Sequence, residues 1–416
     1  MAPRLPSTIW LFSWSRSRAR RSASIRSIRS AALRKMPDMP DETILTNARI
    51  VTPEAVINGH VVMRDGVIAG FDEGPATGDD MGGDILIPGL VELHTDHIEG
   101  HFNPRPRVMW NKMAAIQAHD NQIAGSGITT VFDALRVGTE ENGTLTADDM
   151  AEMGRTIDRA VAEGRVRADH YIHLRCEVSA ADVVEGFDKI AGNPRLKLVS
   201  LMDHAPGQRQ FADMDAYRAY FQKKLNMSDA DFDAFSARRL AESERHAPPA
   251  RRAIAGVCRE RGIAVASHDD ATAAHVAAAI ELGTRIAEFP TTVEAAAASR
   301  EAGLHVLMGA PNIVRGGSHS GNVSAIELLH RGTLDILSSD YVPFSMLQAV
   351  FVLAESGECD LPAAIRLVTA NPAAAVGLAD RGAIARGLRG DLVRVSTSAG
   401  DPPVVRAVWR EGRRVA

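Results

Sequence analysis

Two hydrophobic rhythms alternate along the chain. From about Glu42 to Met81 and again over the last forty residues, short β-rich runs are separated by Gly and Asp-Gly turns: "ILTNARIV", "GHVVMRDGVIAGF" and "DILIPG" early, "GDLVRVST" and "VVRAVWREGRRV" late. Neither end has enough strands to fold alone, so the two ends are expected to pair into one small β-domain. Between them, eight strand-like runs alternate with helical ones: "GLVELHTD", "GITTVFDAL", "DHYIHLRCEV", "LKLVSLMDH", "GIAVASHD", "RIAEFP", "LHVLMGAPN" and "LDILSSDYV". Helical periodicity marks "AAIQAHDNQIAGS", "AYRAYFQKKL", "AAHVAAAIELG", "TVEAAAASREAG" and "VSAIELLHRG". Repeated β-then-α order implies parallel strands, and eight units suggest closure. The expectation is an α/β chain: a (β/α)₈ TIM-like barrel over residues 89–380, with a small β-sandwich domain built from residues 41–88 and 381–416. The longest insertion, about Pro206 to Arg261, is helical and charged and could serve as a lid.

Length and composition agree. The 416 residues, 45% hydrophobic and 24% charged, suffice for a large buried core. No apolar run reaches the ~20 residues needed to span a bilayer, so no membrane role is expected. Cys176, Cys258 and Cys359 are too few and too far apart for a disulfide framework or a Cys-rich zinc module, which makes a reducing cytosol the default compartment. The first 35 residues carry eight Arg, one Lys and neither Asp nor Glu. Residues 1–38 therefore read as a transit-type leader or an upstream extension before a start at Met36 or Met39, without a stable fold. Removing those nine cations from a chain of net charge −5 leaves a body near −14, which argues against nucleic acid as the main partner. An anionic substrate would need a local cluster of Arg. The sequence does not set the oligomeric state, and a homo-oligomer is compatible with it.

Barrel chemistry belongs at the C-terminal ends of the strands. The first strand ends in His94 and Asp96, which period-two alternation places on one face, with His97 and His101 beyond. The third carries His173, Arg175 and Glu177 on one face and Ile172, Leu174, Cys176 and Val178 on the other. The fourth ends at His204, the fifth at His268 followed by Asp269 and Asp270, and the eighth at Asp340. Imidazoles and carboxylates are what a divalent ion such as zinc accepts. Glu177 could bridge two ions, and two ions about 3.5–4 Å apart can generate a hydroxide and hold a phosphoryl oxygen. Asp340 could orient or deprotonate the water. A single strand-end His is more often a hydrogen-bonded structural residue, the reading kept for His97, His101 and His173. The shared end of His94, Asp96, Glu177, His204, His268 and Asp340 makes the set a candidate site. Cys176 alternates to the apolar side and reads as core. Asp133 also ends a strand, facing either substrate or a neighbour.

"GAPNIVRGGSHSGNVSAIELL" follows the seventh strand. Arg315, Gly316, Gly317, Ser318 and His319 lead into a helix, with Asn322 or Ser324 as its cap, and exposed N–H groups at such a start suit phosphate. Phosphate sites in barrels often follow strands seven and eight. After the first strand, "NPRPRVMW" adds Arg105 and Arg107, which either clamp a phosphate from a Pro-stiffened loop or solvate the rim.

"PGLVELHTD" after a β-rich start and "RGLRGDLV…VVRAVWREGRRV" at the end resemble the amidohydrolase superfamily. Within it, "ELHTDHIEGHFNPRP", "GITTVFDAL", "HLRCEV", "LMDHAPGQRQF", "SHDDAT", "EFPTT", "MGAPNIVRGGSHSGN", "LSSDYVP" and "TANPAAAVGL" resemble the PhnM-type phosphonate-metabolism family, over roughly Asp41 to Ala416. That resemblance implies hydrolysis of α-D-ribose 1-methylphosphonate 5-triphosphate to the 5-phosphate and pyrophosphate, before carbon–phosphorus cleavage. It implies one or two divalent ions (Zn, Mn, Fe, Co or Ni) at His94, Asp96, Glu177, His204 and His268. Asp340 would handle the proton, and Arg315 with the following Gly–Ser backbone, aided by Arg105 or Arg175, would hold the leaving pyrophosphate. Two departures from the wider superfamily stand out. His-x-Asp replaces the usual His-x-His, and the lysine that others carboxylate is not evident, since Lys197 begins its strand; Glu177 is the substitute, as in related deacetylases. Two alternatives remain: a C–N hydrolase on the same scaffold, which the Arg/Gly/Ser loop disfavours, and a metal-free scaffold subunit, which the strand-end His and carboxylates disfavour.

Overall fold

A computed structural model describes residues 42–105, 108–138, 145–206, 218, 222, 227–318 and 321–416. The proposed leader, His319, Arg107 and most of the "AYRAYFQKKL" run lie outside the described residues. Strands β1 (Glu42–Val51), β2 (Val56–Arg64) and β3 (Val67–Glu73) form an antiparallel meander. Asp65 and Gly66 join β2 to β3 with φ 53° and 86°, the doubly positive geometry whose twist matches a tight hairpin. The short β4 (Asp79–Asp80) and β5 (Ile85–Pro88) both run parallel to β1.

The barrel follows as β6 (Leu90–Thr95), β7 (Ile128–Val137), β8 (Asp169–Glu177), β9 (Leu196–Met202), β10 (Ala264–His268), β11 (Ile286–Glu288), β12 (His305–Gly309) and β13 (Ile336–Ser338). All eight expected strands are present, and each is parallel to its neighbour in chain order. Closure is made at the strand ends, where the Asp96 N–H donates to Asp340 O and the Asp340 N–H to His94 O, both at 3.0 Å. Buried Glu92 stitches the same seam, accepting from Ser338 Oγ, the Ser339 N–H and the His94 N–H, each at 2.6 Å. One apolar cluster takes Val91, Leu93, Phe132, Leu198, Ala266, Ile286, Leu307 and Ile336 from seven strands, a set that meets only in the barrel interior. Helices cover the outside, so the strands are buried on both faces, which is why they read as nearly continuous apolar runs.

The chain then returns to the first sheet as β14 (Leu392–Ser396), β15 (Val404–Arg410) and β16 (Arg413–Arg414), with β14 antiparallel to β5. Strands from both ends thus share one sheet, ordered β16-β15-β14-β5-β1-β2-β3. Ile68 from one edge strand packs in the same core as Leu45, Leu86, Leu392 and Trp409, so the sheet curls over a single apolar filling.

The insertion after β9 ends in a 33-residue helix, Asp229–Arg261. Ser228 caps its start and Gly262, at φ 66°, ends it in the left-handed conformation that glycine adopts without strain. Phe232, Phe235, Ala247, Ile254 and Cys258 form its buried side. No helix among the described residues is long and apolar enough to cross a membrane.

Candidate active site

The C-terminal ends of the barrel strands deliver the polar residues to one place. β6 brings His94 and, just past its end, Asp96. β10 brings His268 and then Asp269, and Asp340 follows β13. Three residues at these ends have left-handed backbones without being glycine: Asp269 (φ 55°), Phe289 (φ 53°) and Asp340 (φ 56°). Such conformations cost about 1 kcal/mol or more each and cluster where a site is held in a fixed shape. The packing supplies that hold, with Phe289 edge-on to both His94 and His268 at 5.1 and 5.4 Å between ring centroids.

Glu288, at the end of β11, organises the pair. It is buried, and its two oxygens face the Nδ1 atoms of His94 (3.3 Å) and His268 (3.1 Å), while Ser200 Oγ donates to it at 2.6 Å. Both rings are thereby turned with Nε2 outward, 3.5 Å from Asp96 and from Asp269 respectively. A carboxylate behind each ring, fixing its orientation and raising its basicity, is how metal-ligating histidines are normally held. The donor atoms of His94, Asp96 and Asp340 lie within 4.8 Å of one another, as do those of His204, His268 and Asp269. Two mixed imidazole–carboxylate groups of this kind fit a divalent ion of the zinc type.

The other sequence-derived ligands are placed as follows. Glu177 accepts from His204 Nδ1 (2.6 Å), Ser179 Oγ (2.5 Å) and the His204 N–H (3.1 Å), with Arg239 of the long helix 3.8 Å away. Arg175, expected to face substrate, reaches both oxygens of Asp96 at 2.6 Å. His173 is a structural histidine, held between the Leu93 carbonyl (2.9 Å) and Ser200. Asp133 binds neighbours: it accepts from His119 Nε2 (2.8 Å) and His170 Nδ1 (2.7 Å). Cys176 is buried, and burial pushes its thiol well above the ordinary range, as expected of a core residue. Lys197 is exposed near the start of β9.

The charges follow from this geometry. Burial opposes a charge on His94, but Glu288 and Asp96 outweigh it and push the imidazole up to about 10. Burial also works against the Asp96 carboxylate, yet Arg175 and His94 hold it well below its ordinary range. Glu177 is likewise held down at about 2, His204 overcoming burial. His173 goes the other way: burial drives it down to about 3, so it is neutral. Asp340 alone among these carboxyls is raised, by burial and by the neighbouring charge of Asp96. A carboxyl at the barrel mouth with elevated basicity is suited to proton transfer.

The segment expected to bind phosphate starts beside this centre. Gly309, at the end of β12, lies beside Asp340: a Cβ built on it would sit 3.8 Å from the Asp340 carboxylate. The helix Ala310–Arg315 starts there, ends in exposed Arg315, and passes into Gly316 (φ 78°) and Gly317 (φ 156°). Gly317 and Ser318 are half-buried, and the next helix begins after Ser324, whose side chain accepts from the Glu327 N–H at 3.1 Å. Arg105 is exposed in a tight turn in which its carbonyl accepts from the Val108 N–H.

Sequence reasoning missed Glu288 and left Asp269 without a role. The signal for Glu288 was a carboxylate inside the apolar run "RIAEFP", costly to bury without partners.

Comparison with known proteins agrees with this geometry. The model of the amidohydrolase family matches residues 85–415. The chain is 47% identical over 378 residues to the alpha-D-ribose 1-methylphosphonate 5-triphosphate diphosphatase of Escherichia coli K12, covering 89% of this chain and all of that protein. Among solved structures it resembles the N-acetylglucosamine-6-phosphate deacetylase of Pasteurella multocida (TM-score 0.62, 14% identity, 90% of this chain and 99% of that one). It also resembles the 5-methylcytosine deaminase of Klebsiella pneumoniae (TM-score 0.59, 15% identity, 90% and 98%). At such identities these two show the fold alone. The family model and the full-length relative go further: this chain belongs to the amidohydrolase family.

Proposed function

We propose that this enzyme is a diphosphatase that hydrolyses α-D-ribose 1-methylphosphonate 5-triphosphate to the 5-phosphate and pyrophosphate. The observation that carries the reading is the 47% identity to the Escherichia coli diphosphatase over that protein's entire length. In support of it, Gly309 beside Asp340 starts the short helix that ends at exposed Arg315, followed by Gly316 and Gly317, groups suited to an anionic triphosphate.

His94, Asp96 and Asp340 would hold one divalent ion and His204, His268 and Asp269 a second, with Glu177 beside the latter through His204. When bound, such ions polarise a phosphoryl oxygen and acidify water. The protein's own part is placement and charge, which dominate phosphoryl transfer. Glu288 keeps the Nε2 atoms of His94 and His268 facing the reacting space. Arg175 fixes the Asp96 carboxylate. Asp340 takes a proton from the attacking water as oxygen bonds to the ribose-proximal phosphorus. The bond from that phosphorus to the bridging oxygen breaks, and pyrophosphate departs toward Arg315, Gly316, Gly317, Ser318 and His319. Arg105, exposed on the loop after β6, would assist.

³¹P analysis of turnover in ¹⁸O water tests this. Pyrophosphate with ¹⁸O in the ribosyl phosphate is expected; orthophosphate as first product, or ¹⁸O in the pyrophosphate, would overturn it. A parallel assay on a cyclic amide should show no turnover.

A further inference from the structure

Behind the barrel mouth a second set of histidines converges, and the reaction above does not use it. His97 and His101 lie four residues apart on the helix His97–Phe102, so they share one face. His119 comes from the facing side of the helix Lys112–Gly125. The three rings stand 5.4, 5.8 and 6.3 Å apart between centroids, and their donor atoms lie within 4.8 Å of one another. His119 is fully buried; its Nε2 donates to Asp133, which leaves Nδ1 as a bare lone pair with no hydrogen-bond partner. The Nδ1 of His97 is also buried without a partner. The remaining ring, His101, meets Gln122 Oε1 at 3.3 Å through Nε2.

We propose that His97, His101 and His119 form a binding site for a divalent transition metal of the zinc type, separate from the barrel-mouth ligands. A buried imidazole nitrogen without a partner is expensive, and two in one ring cluster are more so. A bound cation removes that cost for His97 and His119. His119 already has the outer carboxylate that metal-ligating histidines use: Asp133, itself fixed by His170. An all-imidazole set selects zinc, copper, nickel or cobalt over magnesium and calcium, which require oxygen. Donor separations up to 4.8 Å must shrink by at most about 1.5 Å for three nitrogens to sit roughly 2.0–2.1 Å from one tetrahedral ion, a shift shared between the half-buried rings on the short helix. The site would brace the helix His97–Phe102 against Lys112–Gly125 and so fix the connection that carries Arg105.

Two measurements test the site. Metal-stripped protein is dialysed against zinc or cobalt and its bound metal counted. His101→Gln should bind one equivalent less than the wild type, while the double variant His94→Ala/His268→Ala should retain that equivalent. An unchanged count in His101→Gln overturns the proposal. If that variant does not fold, wild-type crystals equilibrated with zinc decide: anomalous density between the three rings supports the site, and its absence overturns it.

Discussion

Two buried networks in this protein use the same residue types in opposite ways. On β7 and β8, His170 spends both ring nitrogens on carboxylates, 2.7 Å to Asp133 and 3.2 Å to Asp120, and Asp120 also accepts from the N–H groups of Arg167 and Ala168. At the barrel mouth, His94 and His268 each engage Glu288 through Nδ1, and their Nε2 atoms face Asp96 and Asp269 at 3.5 Å, the long limit of a hydrogen bond. The first network is closed around His170 and spans β7, β8 and the helix Lys112–Gly125. The second is open, and its backbone is strained at Asp269, Phe289 and Asp340. Short, fully paired contacts stabilise; long contacts on pre-aimed ligand atoms yield readily to a substrate or cation. The two regions should therefore fail in different ways when cut.

The sharpest separation comes from Asp340. Asp340→Asn removes the proton acceptor but keeps the shape, so turnover should fall by about 10²–10⁴ with little change in KM or melting temperature. The wild-type carboxyl is raised by burial and must be ionised to accept a proton, so kcat/KM should decline as pH falls through its elevated pKa. The Asn variant should lack that acidic limb. A pH profile of both enzymes checks it; an unchanged limb would remove Asp340 from proton transfer.

Cutting the closed network should do the reverse. His170→Asn breaks a buried charged pair and should cost about 3–5 kcal/mol of stability. Burial disfavours the charged ring, but Asp133 and Asp120 push it up to about 9. Its folded pKa thus exceeds the unfolded value of about 6.5, so the stabilisation is complete below about pH 6.5 and is lost as pH rises through 9. Urea melts of wild type between pH 6 and 10 should show that decline, and those of the variant should decline less, His94 still contributing.

How much of this contrast the sequence revealed depends on which geometry set it. His94, Asp96, His204, His268 and Asp340 were legible because barrel strands all point the same way, so the last polar residue of each run falls at one rim. Glu288 was hidden because β11 has three residues, too short to show a rhythm. Alternation correctly put His173, Arg175 and Glu177 on one face of β8, yet they take three different partners, which only the neighbouring strands decide. Asp133 and the three converging histidines depend on how helices pack on the barrel, and no linear spacing encodes that.

Glu288 tests the open network through its positioning residue. Glu288→Gln keeps the hydrogen-bonding shape but withdraws the charge that fixes both rings, which should weaken metal affinity about 10–100-fold. Equilibrium dialysis with zinc reads the effect directly. Unchanged affinity would mean that Asp96, Asp340 and Asp269 orient the rings without help from behind.

Arg315 should give the smallest change. It is exposed at the end of the helix Ala310–Arg315, so its charge is screened in the free enzyme and folding gains little from it. Arg315→Ala should therefore leave the melting temperature within error. If it meets the triphosphate as proposed, the same side chain would make charge-assisted contacts worth about 1.5–3 kcal/mol, so KM should rise by at least tenfold. Because Arg315 is exposed, the wild-type KM should climb with added salt more steeply than that of the variant. A variant that lost stability instead of affinity would place Arg315 with the closed network, as a structural group, and would shift the role of holding pyrophosphate to Arg105.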